Sequence, residues 1–479
     1  MLSAPILGER HRDLQPRRCQ EVMMPFAHAL AMLLAVLVLA ADHSQAAAAQ
    51  LTQKNPEVDA TTQARRDEPP PEPEEVQAGQ PSSIEDLERR VQRLAEELEQ
   101  LRESGTEPAP LTQDAARALG LAPSAATAYL QNRGLSIAGY GEMLYQDFSR
   151  QDQAGRPAGI GSQIDFLRAV TYFGYRFDDK FVFNSEFELE HANEASVEFA
   201  YIDYLAHEQL GLRGGLLLVP LGLVNEYHEP TVFLGAARPV TEQRIIPSTW
   251  RENGAGIHGS TEVVTYRAYA MAGLDATGFS ANGLRSGRQK GSTSQASDVA
   301  FAGRLDLTPA AGVSVGASLF TGGSSQDQIQ IGGDLFGVRT TIFDLHGYAR
   351  FGELDVRGLF TRASVHDAAE LNQFLGLSGS AGIGEVLEGG YVQVGYDAFS
   401  RSSARRASVT PYVRLERVDT QARMPTGFAR SLATRNTFVT VGVEMKPIPL
   451  IVLKADYTWV SNDAESGVRQ FNVALGYAF

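Results

Sequence analysis

From Leu135 to the last residue the chain alternates apolar and polar positions with a period of two, broken at intervals by turn residues. Between Lys180 and Glu190, Phe181, Phe183, Phe187 and Leu189 alternate with Asn184, Glu186, Glu188 and Glu190, so one face suits hydrocarbon and the other water. The last stretch repeats the pattern, with Phe471, Val473, Leu475, Tyr477 and Phe479 opposite Gln470, Asn472, Ala474 and Gly476. Sixteen such stretches can be read, near 135–148, 163–177, 180–190, 195–206, 210–219, 252–261, 263–274, 298–308, 312–321, 337–351, 353–364, 389–399, 407–418, 435–446, 450–460 and 468–479. Most reach the length of about 9–11 residues that a tilted strand needs to cross a bilayer.

The links between these stretches alternate in length. Tight turns such as Phe177-Asp178-Asp179-Lys180, Thr308-Pro309-Ala310-Ala311-Gly312 and Lys446-Pro447-Ile448-Pro449 follow even strands, and long connections follow most odd ones. A closed, even-numbered antiparallel transmembrane β-barrel gives this rhythm, because both ends of the sheet then lie on one side of the membrane. The fold class expected is therefore all-β, with the barrel over 134–479. The short link at His191–Glu194 and the longer one at Arg401–Arg406 fit the rhythm less well.

Upstream the period changes. Ile84, Leu87, Val91, Leu94, Leu98 and Leu101 recur at alternating steps of three and four, the seam of a short coiled coil over 82–104. Ser82 or Ser83 caps its start. Self-association through this seam is the expectation, and its mix of Ile, Val and Leu does not fix two strands against three. The stretch 47–81 is rich in Pro and Glu (PPPEPEE at 69–75) and reads as a disordered linker. A second linker is read over 105–133. Ala27 to Ala41 form an apolar run too short to span comfortably, followed by Ser44-Gln45-Ala46-Ala47, so residues 1–46 read as a leader with a signal peptide cut near Ala46. The run begins late, which points to a true start at Met23 or Met24.

Composition narrows the function classes. The net charge is −15 over 479 residues, which argues against nucleic acid as a partner. The single cysteine, Cys19, precedes the apolar run, so the exported chain has no thiolate site and no disulfide. A leader, cysteine-free alternating strands and a terminal Gly476-Tyr477-Ala478-Phe479 place the barrel in the outer membrane of a Gram-negative cell, with the N-terminal arm in the periplasm. Gly476-Tyr477-Ala478-Phe479 resembles the terminal signature of bacterial outer-membrane barrels, so the partners expected are outer-membrane lipid and, as the resemblance implies, the barrel-assembly machinery acting on the strand ending at Phe479.

Three motifs then point to a family. Ala200-Tyr201-Ile202-Asp203-Tyr204, Leu212-Arg213-Gly214-Gly215-Leu216-Leu217-Leu218-Val219-Pro220-Leu221-Gly222 and Arg251-Glu252-Asn253-Gly254-Ala255-Gly256 resemble segments of the phosphate-selective porin O and P family. The resemblance covers roughly 134–479 and extends to the N-terminal heptads. It implies a sixteen-stranded trimeric porin for passive diffusion of small hydrophilic solutes or ions. Many members carry a basic residue before the Pro-Leu-Gly turn, where this chain has Leu216, Leu217 and Leu218, so none of the family's ligand residues is carried over. A structural barrel that tethers the envelope through its N-terminal coiled coil is the alternative.

The connection from Pro220 to Arg251 is long enough to fold into the pore, and its four prolines limit its freedom. The pore constriction is expected to be built from Arg238, Arg244 and Arg251 of this connection with Arg168 and Arg176 of the second strand. Alternation also assigns Arg267, Arg304, Arg350, Arg357 and Arg414 to the lumen. The opposing lumen carboxylates are Glu186, Glu188, Glu190, Glu194 and Glu198. Residues 134–479 carry a net charge of −8, so any anion preference must come from local arginines. No catalytic group, metal site or cofactor is expected. His258 and Ser260 share a strand face but lack an orienting third partner. The carboxylates Glu186 to Glu198 lack the converging loop oxygens that hard cations favour.

Overall fold

The computed structural model describes residues 113–207, 209–399 and 407–479. The leader, the Pro/Glu-rich linker and the coiled coil read from the sequence lie outside the described residues.

Sixteen antiparallel strands close into one barrel, each paired with its neighbours in sequence, and the first with the last. They are β1 (Gly134–Phe148), β2 (Gln163–Arg176), β3 (Phe181–Glu190), β4 (Glu194–His207), β5 (Leu210–Leu218), β6 (Arg251–Ser260), β7 (Val264–Ala272), β8 (Val299–Ala310), β9 (Val313–Gly323), β10 (Arg339–Phe351), β11 (Leu354–Val365), β12 (Val386–Tyr396), β13 (Ser408–Arg423), β14 (Arg435–Ile448), β15 (Ile451–Asn462) and β16 (Gln470–Ala478). All sixteen stretches read from the sequence are strands, with their boundaries within a few residues. The seam runs from Tyr140 opposite Ala478 to Phe148 opposite Gln470. Gly139 and Phe479 each donate their N–H to the other's carbonyl at 2.9 Å, ending that ladder. Closure leaves no sheet edge unpaired, which is the condition for strands in hydrocarbon.

The strands place apolar side chains outside. Leu135, Ile137, Ile164, Phe187, Leu189, Phe301, Leu415, Val441 and Phe471 are exposed on that face. The inner face is the polar one: Glu142, Arg168, Asn184, Glu186, Arg267, Arg304, Asp344, Arg414 and Asp456 are all buried. This inverts the polarity of a water-soluble sandwich and is what a lipid-facing barrel requires. No helix among the described residues is long and apolar enough to cross a membrane.

Most links at the end where β1 begins and β16 ends are tight, as at 177–180 and 352–353, with 397–407 the longer exception, and the opposite end carries most of the long ones. The β3–β4 link at 191–193 is the short exception. The connection between β5 and β6 turns inward, and all but five of residues 219–250 are buried. It holds one short helix, α2 (Thr241–Arg244). A segment that the sequence pattern left without structure also enters the barrel. It carries α1 (Gln113–Ala118) and a 3-10 turn at Ala125–Tyr129, which contacts β1, β2 and β3. Inner-wall glycines make this fit: a Cβ on Gly174 would sit 2.3 Å from the Ala128 Cβ, and one on Gly476 would sit 2.6 Å from Pro230.

Candidate functional site in the barrel lumen

The inward loop is closed at its neck by a backbone bond, from the Val219 N–H to the Trp250 carbonyl at 3.0 Å, and by one side chain. Asn225 donates from Nδ2 to the carbonyls of Val219 (2.7 Å) and Trp250 (2.9 Å), and its Oδ1 accepts from the Trp250 N–H (2.6 Å). Beyond the neck, Glu242 ties the loop to itself and to the wall. Its Oε2 accepts from the N–H groups of Leu223 and Val224, both at 2.8 Å, and its Oε1 from the Tyr391 hydroxyl at 2.6 Å. Glu229 joins the loop to the N-terminal segment, accepting from the Ser124 N–H (3.0 Å), the Ser124 hydroxyl (3.1 Å) and the Ala125 N–H (3.3 Å). Both carboxyls belong to the loop rather than to a strand. Burial pushes each up to about 7, against hydrogen bonds that favour the charged form.

Most lumen arginines hold backbone. Arg213 donates to the carbonyl of Leu119 (3.2 Å), Arg357 to Val232 (2.8 Å) and Arg414 to Ala237 (3.4 Å), while Arg304 and Arg267 reach the carbonyls of Gly222 and Arg117. Lys454 adds Phe233 (2.8 Å) and Gly235 (3.0 Å). Each also has a carboxylate nearby: Asp203 for Arg213, Asp306 for Arg304, Asp355 for Arg357, Glu226 for Arg267, Glu416 for Arg414 and Glu444 for Lys454. A guanidinium fork can satisfy a carboxylate and a carbonyl together, so these side chains fasten the contents of the barrel to its wall. The alternation pattern finds Arg267, Arg304, Arg357 and Arg414 but not Arg213 or Lys454, and the work of all six as anchors is invisible until the loop is placed.

The residues expected at the constriction divide into three groups. Arg168 and Arg251 are paired: Arg168 lies 3.5 Å from Glu142, 3.1 Å from Glu188 and 3.9 Å from Glu190, and Arg251 lies 2.7 Å from Glu198. Arg238 and Arg244 sit half-buried on the inward loop, and Nη2 of Arg238 has no hydrogen-bond partner among the described residues. Arg238 lies within electrostatic reach of Arg168, Glu142 and Glu198, and Arg244 of Glu416. Arg176 is elsewhere. It caps the tight turn after β2, donating to the carbonyls of Asp178 (3.1 Å), Asp179 (3.0 Å) and Tyr129 (3.3 Å), because it is the last residue of its strand. Arg350, near the same end of the barrel, is half exposed and lies 3.3 Å from Asp355.

Among the carboxylates, Glu186, Glu188 and Glu198 are buried on the inner wall, and Glu190 is half-buried near Arg168. Glu194 is exposed at the tight β3–β4 link, because it opens β4 opposite Glu190 at the strand ends. Sequence reasoning missed two cations, Arg285 and Arg288. They stand on the connection between β7 and β8, which lies over the inward loop, with the Leu284 N–H donating to the Arg244 carbonyl at 2.9 Å. Arg288 bonds the carbonyls of Pro247 and Thr249, and Arg285 lies within electrostatic reach of Arg238, Glu190 and Glu198. His258 lies 3.3 Å from Asp203, which also holds Arg213, so it belongs to this network of wall contacts.

No family model matches the chain. It is 36% identical over 356 residues to an uncharacterized protein of Aquifex aeolicus (strain VF5), a match covering 71% of this chain and 78% of the relative. The chain belongs to the same family as that Aquifex protein. Among solved structures, the anion-selective porin from Comamonas acidovorans is similar, at 12% identity and a TM-score of 0.46 over 72% of this chain and 99% of that one. Salmonella typhi OmpF in complex with daunomycin has 11% identity and a TM-score of 0.48 over 73% and 98%.

Proposed function

We propose that the protein is an outer-membrane porin that lets small hydrophilic solutes diffuse through a narrow lumen. The observation that carries this reading is the inverted polarity of the closed barrel, with an apolar outer belt and charged residues buried inside. A sixteen-stranded barrel is wide enough to hold an aqueous channel, and the inward loop reduces its bore. The resemblance to the phosphate-selective porin O and P family and the names of the structural neighbours agree with this reading.

Within the porin reading we favour a modest anion preference. Arg168 and Arg251 are neutralised by their glutamates, so the preference rests on Arg238 and Arg285, together with Arg244 at the end of α2. Paired charges set up a local field but add little net charge to a passage. Homotrimer formation, assembly through the strand ending at Phe479 and a periplasmic N-terminal arm belong to the same proposal. Single-channel recording in planar bilayers tests it: folded protein should give discrete current steps, and a reversal potential in a salt gradient should report the anion preference. Folded protein that passes no current would leave the tethering reading.

That second reading has an observation of its own. Residues 113–129 sit inside the barrel, held through Glu229, Arg213 and Arg267, and occupy space that a simple open pore leaves to water.

A further inference from the structure

Three side chains meet where the inward loop touches β3 and β4. His228, on the loop, places Nε2 3.2 Å from Oε1 of Glu186 and 4.0 Å from Oε2 of Glu198. One donor atom from each of the three lies within 4.8 Å of the others, and all three residues are buried. We infer that Glu186, Glu198 and His228 bind a divalent transition-metal ion such as Zn²⁺, which clips the loop to the barrel wall.

The hydrogen bonds around the cluster argue for a cation. Nδ1 of His228 lies 2.9 Å from the Asn225 carbonyl, which can only accept, so Nδ1 carries a proton. In the neutral ring Nε2 is then a lone pair, and it faces two carboxylates. Protonating Nε2 would serve Glu186 Oε1 and leave Oε2 of Glu186 bare: among the described residues it has no hydrogen-bond partner, whereas Glu198 also meets the carboxyl of Glu188. A buried carboxylate oxygen without a donor is costly. One divalent ion satisfies the imidazole and both carboxylates together.

The surroundings also match what metal ligands need. The Asn225 carbonyl fixes the tautomer and orientation of His228. Glu198 is aimed through its other oxygen, which accepts from Arg251 Nη1 at 2.7 Å and from the Thr249 hydroxyl at 2.9 Å. The Tyr140 hydroxyl, 3.4 Å from Oε1, steadies Glu186. Such outer contacts orient ligands and raise their basicity. Donor atoms around a tetrahedral ion with bonds of about 2.0–2.2 Å stand about 3.3–3.6 Å apart, between the two separations found here. Imidazole with carboxylates suits Zn²⁺, Fe²⁺ or Mn²⁺ better than Ca²⁺, and three protein ligands leave a fourth position for water. From the sequence no metal is expected, because Glu186 to Glu198 lack the converging loop oxygens that hard cations favour; that the loop brings His228 beside two of them is not visible there.

The test uses the full chain, folded in detergent, stripped with EDTA and titrated with Co²⁺, whose visible absorption reports low coordination number and nitrogen ligation. The wild type should take up one Co²⁺ per chain, displaceable by Zn²⁺. His228→Ala and the near-isosteric Glu198→Gln should weaken that uptake by at least about 100-fold. Heat-modifiable migration on gels checks that each variant is folded. Should His228→Ala not fold, Glu186→Gln supplies the same comparison. A wild type that shows no saturable uptake, or folded variants that bind Co²⁺ as the wild type does, would overturn the site. Neither result depends on conductance, so failure of the metal site and failure of the porin reading are separable.

Discussion

Asn225 grips Trp250 from both sides: its amide oxygen accepts from the Trp250 N–H at 2.6 Å while its amide nitrogen donates to the Trp250 carbonyl at 2.9 Å. The third bond, to the Val219 carbonyl at 2.7 Å, joins the two ends of a loop more than thirty residues apart in sequence. Replacing Asn225 by Ala orphans the buried Trp250 N–H, at a cost of about 1–3 kcal/mol, and takes one of two donors from each of the Val219 and Trp250 carbonyls, which keep the N–H groups of Leu221 and Val219. Asn225→Ala should therefore keep the barrel folded and give noisy single-channel current, as the loop samples more than one position. A quiet trace identical to wild type would show that the neck is held by other contacts.

Charge at the passage can be read through reversal potential. Arg238→Ala combined with Arg285→Ala removes cations without carboxylate salt bridges and should shift the potential toward cation preference. Arg168→Ala should shift it further, since it leaves Glu142, Glu188 and Glu190 without their shared partner. An unchanged potential in the double variant would return Arg238 and Arg285 to a structural role.

Acid should alter the inward loop in a defined direction. Burial holds the carboxyls of Glu229 and Glu242 up at about 7, above the ordinary value of 4.5. A carboxyl raised on folding contributes stability that is full below its unfolded value and is lost as the pH climbs through its folded one. In metal-free protein the loop should thus be held more firmly near pH 5 than near pH 8, and the lumen should also be less negative. Slower hydrogen exchange of residues 219–250 at the lower pH, after correction for intrinsic rates, is the expected result. Glu229→Gln together with Glu242→Gln should abolish the difference.

The outer belt offers a direct test of membrane residence. Leu415 lies near the middle of β13 with 53% of its surface exposed. An arginine at the bilayer midplane of such a barrel costs about 2–4 kcal/mol. Leu415→Arg should lower the stability of the barrel in lipid vesicles by that amount in denaturant titrations, whereas a barrel facing water would gain or lose little.

Removing residues 113–129 should raise the conductance if they narrow the passage. Gly174→Val should do the same without deletion, because a side chain there collides with Ala128 and Ser136. Equal conductance in both variants and the wild type would place the solute path elsewhere in the lumen.

The strands could be read from the sequence because lipid on one side and water on the other impose a period of two that turn residues punctuate. Sixteen of them, and the inward course of the long connection, follow from that period and from length and proline content. The arrangement inside the barrel does not. Gln113–Ala118 is too short for a helical period to stand out, and its anchors are carboxylates and arginines that look like any wet inner face. Arg168 and Arg238 read alike in sequence, yet three glutamates surround the first and Nη2 of the second has no hydrogen-bond partner among the described residues. The glycines at 174 and 476 were the available clue, since a smooth track on an inner wall implies something lying on it.

The pairing of β1 with β16 also has a kinetic side. These strands lie some three hundred residues apart, so the seam can be sewn only after the last strand has been made. Until then the sheet is an open cup with two adhesive rims. The inward loop and the segment before β1 are fastened to the wall by buried contacts that a closed cylinder gives no easy route to make. They must take their seats while the cup is open, and the final strand then shuts the vessel around a cargo of its own chain. A product one strand short would leave both rims exposed to the next molecule.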